Sequence, residues 1–195
     1  MIDIGHDPNL PYKGYSYRKA TINNKPIEQV PIVRRYIYTF TDRFNQKYIV
    51  NIEQYDLEVY IVKFHLKKDT DNKKKYQVLT GKGDVGRVLA TCIKILLEEI
   101  LYKNASASFG FIGINSEGEG KSNTKRFVLY QKIVSAYFSE KAFEHVFNEN
   151  KSAYALLNRK NKISGLRQKV EAMFKKYYPL LEEDSGTQPP TAVVG

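Results

Sequence analysis

The sequence predicts an α+β fold with a mixed, mainly antiparallel sheet and a central helix. Between residues 35 and 66, β-branched and aromatic segments alternate with short polar turns, which is typical of an antiparallel meander. A glycine-rich turn then leads into an apolar helix at residues 84–101, and a further strand-like segment follows at residues 105–114. A helix that connects two strands of one sheet makes those strands parallel, so the meander and this crossover together predict a mixed sheet.

The predicted elements follow one another in the order β-β-β-β-α-β-α-β-β-α. The meander comprises strands at residues 35–40, 47–52, 58–66 and 76–79. Asp84 is predicted to cap the central helix, because a carboxylate accepts hydrogen bonds from the free amides of a first turn. The later elements are a buried strand at 105–114, a helix at 124–138, strands at 143–147 and 153–157, and a helix at 165–178. Gly110 and Gly113 in the buried strand predict a bulge or a close backbone approach.

Proline content and tail composition divide the chain into three parts. The length of 195 residues fits one domain. Residues 1–31 contain four prolines and no sustained periodicity, which predicts an irregular N-terminal arm. Residues 32–180 form the predicted α+β domain. Residues 181–195 are acidic and then rich in glycine, proline and threonine, which predicts a disordered tail.

The chain is strongly basic. Its formal net charge of +10 favours an anionic partner, such as a coenzyme phosphate, a nucleic acid or an acidic protein, although solubility alone also accounts for such a charge. A single cysteine, Cys92, makes an internal disulfide impossible and fits a cytoplasmic location. No apolar segment approaches the roughly 20 residues that a membrane-spanning helix needs, so no membrane partner is expected. The composition leaves the oligomeric state open.

Three glycines have the spacing G-x-G-x-x-G that occurs in dinucleotide-binding turns: Gly81, Gly83 and Gly86. A Rossmann domain also needs repeated strand–helix units and an acidic residue at a strand end about 20 residues further on, where this sequence is helical. The turn therefore predicts either a plain tight turn before a helix or a phosphate site at the free amides of residues 85–87. Lys82 and Arg87 would add positive charge to such a site.

The order of elements resembles the acyl-CoA N-acyltransferase (GNAT) fold over residues 32–160, and so do the turn at 81–87 and the pattern of Asn123 followed by Leu129-Tyr130. In that family a meander leads to a glycine turn and helix that hold the coenzyme pyrophosphate. The coenzyme lies in a V-shaped opening between the strands on either side of this helix, which in this sequence would be the strand that ends at Leu79 and the strand that begins at Ser106. The resemblance implies acetyl-CoA or another acyl-CoA as cofactor, and it gives Tyr130 the role of protonating the departing thiolate. The pyrophosphate contacts that it implies are Gly81, Lys82, Gly83, Val85, Gly86 and Arg87.

Two shorter patterns are similar to uncharacterised bacterial and phage proteins, mainly of Bacteroidetes type, and this similarity is closer than the GNAT resemblance. One pattern is Gly83-Asp84 with Val88 to Thr91 at the helix start, and the other is Arg126 with Leu129-Tyr130. This similarity implies no known activity, and a core of this kind can persist without coenzyme binding. The sequence therefore leaves open whether the protein is an enzyme.

A second hypothesis is a non-catalytic basic protein that binds nucleic acid or an acidic protein, as a phage or host-defence component. Cations are dense in and before the last predicted helix, and others begin the helix at 124–138. Together they would form a phosphate-contacting surface, and a solvated helix face is the alternative interpretation. The residues of this surface are Lys125, Arg126, Arg159, Lys160, Lys162, Arg167, Lys169, Lys175 and Lys176.

An N-acyltransferase also needs a group that takes a proton from the acceptor amine. Glu53, Glu58, His65 and His145 are the candidates, and the alternating pattern places His65 on a mixed strand face. No histidine has a partner at metal-ligand spacing, and one cysteine is too few for a zinc site of the usual kind. No metal is therefore expected.

Overall fold

The computed structural model describes residues 12–23, 32–78, 82–113, 120 and 122–178. Its strands are β1 (Tyr17–Asn23), β2 (Arg34–Thr41), β3 (Lys47–Tyr55), β4 (Val59–Leu66), β5 (Ser108–Ile112), β6 (Phe143–Asn148) and β7 (Ala153–Asn158). The α-helices of these residues are α1 (Val85–Ile95), α2 (Lys125–Tyr137) and α3 (Leu166–Tyr177), and a π-helical segment (Leu96–Leu101) continues α1. The predicted disordered tail at residues 181–195 lies outside the described residues.

The seven strands form one sheet in the order β1-β2-β3-β4-β5-β7-β6. All neighbouring strands are antiparallel except β4 and β5, which run parallel. Strands β1 to β4 form the meander, whereas α1 carries the chain back along the sheet and so makes β5 parallel to β4. The predicted α+β class with a mixed, mainly antiparallel sheet and a central helix is therefore confirmed.

The meander differs from the prediction by one strand at each end. β1 lies in the segment 1–31, for which the sequence predicts an irregular arm, and it pairs antiparallel with β2. Residues 76–78 of the predicted strand 76–79 form a turn instead, because the Arg126 guanidinium takes the carbonyl oxygens that a strand ladder would use. Both predictions are wrong at these positions. The correspondence with the GNAT order of elements therefore stays a prediction.

Helices cover both faces of the sheet. α1 and α2 pack on one face, which we call the α1 face, and Tyr60 and Val62 of β4 belong to its core. α3 packs on the opposite face, which we call the α3 face, where its Phe174 joins Val59 and Ile61 in a second core. Successive side chains of β4 thus alternate between the two cores, as the period of a strand requires.

α1 and its π-helical continuation form the central helix that the sequence predicts. Residues 88–93 are all buried, which explains their apolar character without reference to a ligand. The amide of Tyr102 donates to the carbonyl of Leu97, five residues back, at 3.0 Å, which is the spacing of a π-helix. Asp84 is the N-cap residue, but its side chain makes no capping hydrogen bond. The predicted helix start is therefore confirmed, and the predicted carboxylate cap is wrong.

Gly110 of β5 and Gly113, which directly follows β5, bring the chain close to both helical layers. A methyl group at Gly110 would lie 2.6 Å from Cζ of Phe174, and one at Gly113 would lie 2.8 Å from the backbone nitrogen of Phe127 in α2. The predicted close approach at these two positions is therefore confirmed. The Gly113 carbonyl also accepts from Oγ1 of Thr124 at 2.7 Å. These contacts fix the start of α2 directly against the end of β5.

Candidate functional site

The pairing of the parallel strands β4 and β5 ends after three residue pairs. The paired residues are Val59, Tyr60 and Ile61 of β4 with Ser108, Phe109 and Gly110 of β5. Beyond them, residues 62–66 of β4 keep only their partners in β3, and Phe111 and Ile112 of β5 keep only theirs in β7. We call this unpaired stretch of the two strands the β4–β5 opening. It lies at the carboxyl ends of both strands, from which the chain leads to α1 and α2.

Tyr130 lies beside this opening on the α1 face. Its ring centroid is 6.4 Å from that of Phe64 in β4 and 6.5 Å from that of Phe111 in β5. The side chain is 7% exposed. Burial raises the pKa of the Tyr130 phenol well above its ordinary value, although the nearby Arg126 acts in the opposite direction. The phenol therefore keeps its proton at neutral pH, and it contacts both of the strands that separate.

The described residues of the glycine turn lie together at the start of α1. Gly81 lies outside the described residues. Lys82 and Gly83 are exposed, and Gly83 has a φ of 66°, which a glycine adopts without strain. Val85 is 37% exposed, whereas Gly86 is buried. The turn therefore presents the start of α1 to solvent on one side only.

Residues 12–15 cover the other side of this helix start. The ring of Tyr12 lies so close to Gly86 that a methyl group there would be 2.5 Å from its Cζ atom. The Tyr15 amide donates to Oγ1 of Thr91 at 2.8 Å, and the Tyr137 hydroxyl donates to the Tyr12 carbonyl. Tyr12 and Tyr15 favour an arm that packs on its own domain, but nothing in the local sequence indicates which helix they cover.

Asp84 faces the N-terminal segment and the turn between β2 and β3. It is 5% exposed. Its carboxylate accepts from the Tyr15 hydroxyl and lies 3.3 Å from Nε of Arg43. The negative charge is therefore compensated by a cation instead of by the amides of the first helical turn. Those amides remain without a side-chain cap.

The two cations of the predicted pyrophosphate turn have different surroundings. The Arg87 guanidinium lies 4.4 Å from the ring centroid of Tyr15, and its Nε donates to the Lys13 carbonyl at 3.3 Å. Arg87 thus helps to hold the N-terminal segment in place. The Lys82 ammonium lies 6.0 Å from the ring centroid of Phe44 and forms no salt bridge with another described residue. Lys82 is therefore the cation of this turn that is most available to an anion.

The structure does not bring the nine predicted phosphate-contacting cations onto one surface. Lys125 and Arg126 begin α2 on the α1 face, whereas α3 lies on the α3 face. Arg126 is also engaged, because its guanidinium donates to the carbonyls of residues 76, 77 and 78. A combined surface of α2 and α3 is therefore wrong, since the periodicity of a helix does not specify which face of a sheet it covers.

The cations in and before α3 form a smaller group. Nε of Arg159 donates to the Glu140 carbonyl at 2.9 Å, and Arg167 lies 3.1 Å from Glu171 and 3.2 Å from Glu144. The remaining members are exposed and form no salt bridge with another described residue: Lys160, Lys162, Lys169, Lys175 and Lys176.

Glu53, a candidate base, lies on the α3 face and is 3% exposed. Its carboxylate accepts from Lys63 at 2.6 Å, from Arg35 at 2.8 Å and from the Tyr55 hydroxyl at 3.1 Å. Burial alone would raise the pKa of Glu53, but Lys63 and Arg35 outweigh it and hold the pKa below its ordinary value. A carboxylate that is ionised, buried and bound to two cations is a poor proton acceptor.

His65 lies nearby on β4, within the part of the strand that borders the β4–β5 opening. It is 5% exposed, and neither ring nitrogen has a hydrogen-bond partner among the described residues. Burial lowers the pKa of His65, and the Lys75 ammonium lowers it further. The imidazole is therefore neutral at neutral pH. The other two candidates already have partners, since Glu58 binds Asn104 and His145 binds the Tyr154 hydroxyl.

The described residues contain no group of three or more histidine, cysteine, aspartate or glutamate side chains placed to bind a metal ion. None of their helices combines the length and the apolar character that crossing a bilayer requires.

Comparison of the chain with family models, with curated proteins and with solved structures found no match. Fold and site therefore define the class of the protein only as α+β, with a mixed sheet that has seven strands in the described residues and a parallel pair joined over three residues.

Proposed function

We propose that this chain is a GNAT-like protein that binds acetyl-CoA or another acyl-CoA, as an N-acyltransferase or a degenerate relative of one. The separation of β4 and β5 beside Tyr130 carries the proposal. The resemblance requires an opening between the strands that flank the central helix. Because residues 76–78 are not a strand, β4 takes the place of the predicted strand at 76–79, and β5 is the strand after the helix. The acyl thioester would enter this opening at the phenol of Tyr130.

The pyrophosphate would bind at the start of α1. The amides of residues 85–87 have no side-chain cap, and a helix start attracts anions through these amides and the helix dipole. Lys82 would contact the phosphates. Tyr12 lies against Gly86, so the coenzyme would share this surface with residues 12–15 or displace them.

Tyr130 would act as the general acid. In acyl transfer the acceptor nitrogen attacks the thioester carbon, the carbon–sulfur bond breaks, and the thiolate takes the proton of the Tyr130 phenol. The proton that the acylated nitrogen then loses restores the phenol. A phenol that keeps its proton at neutral pH suits this role, and a positioned general acid contributes about 10²- to 10⁴-fold to a rate. A degenerate relative would bind the coenzyme without this step. The cytoplasm, where acyl-CoA is available to a chain with one buried thiol, is the proposed location.

Acyl-CoA is expected to raise the thermal stability of the protein. A ligand present at 100 times its dissociation constant stabilises the folded state by about 2.7 kcal/mol, so about 1 mM acetyl-CoA should shift the melting temperature clearly. Lys82→Ala should weaken this shift, and Lys169→Ala on α3 is the matched control that should leave it unchanged. If the wild-type protein shows no shift with acetyl-CoA or CoA, coenzyme binding is ruled out.

Thiol release from acetyl-CoA separates an enzyme from a degenerate relative. Tyr130→Phe should retain the thermal shift, because the ring still packs on Phe64 and Phe111. It should lower thiol release by about 10²-fold or more if the phenol is the general acid. Equal release from wild type and Tyr130→Phe would contradict that role.

Nucleic-acid binding by α3 is a second proposal, favoured by the five exposed lysines without a salt bridge to a described residue. It predicts weak binding of a labelled single-stranded oligonucleotide that falls steeply with salt, because phosphate contacts release counterions. Replacing Lys169 and Lys176 by alanine should weaken binding and flatten the salt dependence, whereas Lys132→Ala on α2 should do neither. Binding that is absent at low salt would contradict this proposal.

A further inference from the structure

His65 is a buried polar side chain for which the packing of the fold gives no structural role. It is 5% exposed, and neither Nδ1 nor Nε2 has a hydrogen-bond partner among the described residues. Burying an unpaired polar group costs about 1–3 kcal/mol. Most such groups in folded proteins are paired, so an exception calls for a specific explanation.

The segment of residues 67–78 buries this imidazole. It leaves the end of β4 through a short 3₁₀ turn at Lys67–Asp69 and returns, so that the ring of Tyr76 packs edge-on against His65 at 5.4 Å between centroids. The Asn51 side chain of β3 lies beside the Tyr76 hydroxyl. Tyr76 therefore lies on the α3 face, across β3 and the half of β4 that borders the opening.

Arg126 holds the end of this segment from the other side of the sheet. Its guanidinium donates to the carbonyls of Tyr76, Gln77 and Val78, with Nη2 at 2.9 Å and 2.8 Å from the last two. Arg126 belongs to α2 on the α1 face, whereas the Tyr76 ring lies on the α3 face. Residues 76–78 therefore cross between the two faces at the carboxyl ends of β4 and β5, where these strands separate.

The rest of the segment is largely exposed. Residues 70–74 are all exposed. The backbone hydrogen bonds of Thr70, Asn72, Lys75 and Gln77 go to carbonyls within the segment itself. A region with exposed, local backbone hydrogen bonds opens at a low free-energy cost. The Tyr76 packing and the three Arg126 hydrogen bonds are contacts that hold the segment to the rest of the protein.

We infer that residues 67–78 form a lid over the α3 face of β3 and β4, beside the β4–β5 opening, that Arg126 is its latch, and that His65 is the group it uncovers. His65 lies on the face opposite to Tyr130, so release of the lid would expose its imidazole to a second ligand on that face. An uncovered imidazole can take a proton from an acceptor ammonium group, which leaves the free amine and an imidazolium. Only this last role depends on the proposed acyltransferase function.

Histidine modification by diethyl pyrocarbonate, measured by peptide mass spectrometry, tests the lid without coenzyme or substrate. Arg126→Ala should raise the rate at His65 at least about tenfold, since the loss of even one of its three charge-assisted hydrogen bonds, at about 1.4 kcal/mol, shifts an equilibrium that far. Arg126→Lys keeps the positive charge, but an ammonium group does not reproduce the hydrogen bonds of the guanidinium to three carbonyls. This variant should therefore also raise the modification rate of His65. Lys132→Ala, which removes another α2 cation, is the matched control and should leave it unchanged.

His145 on β6 is the internal reference, because it is bound to Tyr154 and lies outside the lid. Faster modification of His65 at a constant rate for His145, with faster trypsin cleavage after residues 73–75, supports the lid. An unchanged His65 rate in both Arg126 variants overturns it. A parallel rise at His65 and His145 also overturns it, because it means general loosening of the fold. Coenzyme binding is measured separately, so the lid and the proposed function fail on different results.

Discussion

Replacing Glu53 with glutamine is expected to lower the free energy of unfolding by about 3 kcal/mol. The buried carboxylate accepts from Lys63 at 2.6 Å and from Arg35 at 2.8 Å, and glutamine leaves these two cations together without a counter-charge. Breaking a buried pair costs about 3–5 kcal/mol. The Arg35 and Lys63 side chains are 28% and 22% exposed and can recover part of their hydration, so the lower end applies. Urea denaturation at neutral pH measures the change.

Glu171→Gln is the matched control for this substitution. Glu171 also pairs with an arginine, since its carboxylate lies 3.1 Å from Nε of Arg167, but both side chains are more than half exposed. Exposed pairs contribute about 0.2–1 kcal/mol. Losses of equal size in Glu53→Gln and Glu171→Gln would show that the Glu53 carboxylate is not buried as described.

The same carboxylate gives the stability of the protein a defined dependence on pH. The pKa of Glu53 is lower in the folded chain than its ordinary value of 4.5, so the unfolded chain binds more protons. The contribution of ionised Glu53 to the free energy of unfolding is therefore fully present above about pH 4.5, and it is lost as the pH falls through the lower pKa of the folded chain. Wild type should lose more stability than Glu53→Gln over this acid range. Parallel losses in the two proteins would contradict the shifted pKa.

Local pattern was enough to predict most of the elements that surround the candidate site. The alternation of residues 58–66 predicted β4, and the apolar periodicity after Asp84 predicted α1. The small residues of the strand at 105–114 predicted that β5 is buried and closely approached. These features depend on neighbours within one element, and sequence periodicity reports such neighbours directly.

Contacts between distant segments account for what the sequence did not predict. Residues 17–23 have weak strand character and become β1 only because β2 offers them a free edge. Residues 76–78 have strand character, but a guanidinium about 50 residues further along the chain takes their carbonyls. In both cases a tertiary partner overrides local propensity.

The candidate site combines both kinds of feature. Tyr130 was named from its resemblance to a family pattern, and its place beside the β4–β5 opening could not be derived from helical spacing. Spacing also could not show that the cations of α2 and α3 lie on opposite faces of the sheet. The burial of His65 under residues 67–78 has no local signal, because a histidine on an alternating strand is compatible with either solvent or a covered face.

Phe109→Ala is expected to lower the free energy of unfolding by about 3–5 kcal/mol. The ring is fully buried, and its centroid lies 5.6 Å from that of Phe138, 6.0 Å from that of Phe143 and 6.4 Å from that of Tyr60. Phe109 is also the middle residue of the three β5 residues that pair with β4. Its removal leaves a cavity that three large rings cannot fill without moving.

The comparison with an exposed aromatic isolates the effect of burial. Tyr102→Ala removes a side chain that is 87% exposed, and the expected change is within about 0.5 kcal/mol. Phe109→Leu should fall between the two variants, because it retains part of the apolar volume. Urea denaturation of all three variants measures their free energies of unfolding and so ranks them. A Phe109→Ala loss below about 1.5 kcal/mol would mean that the rings collapse into the cavity, and that the paired part of β4 and β5 is not the rigid base from which the opening widens.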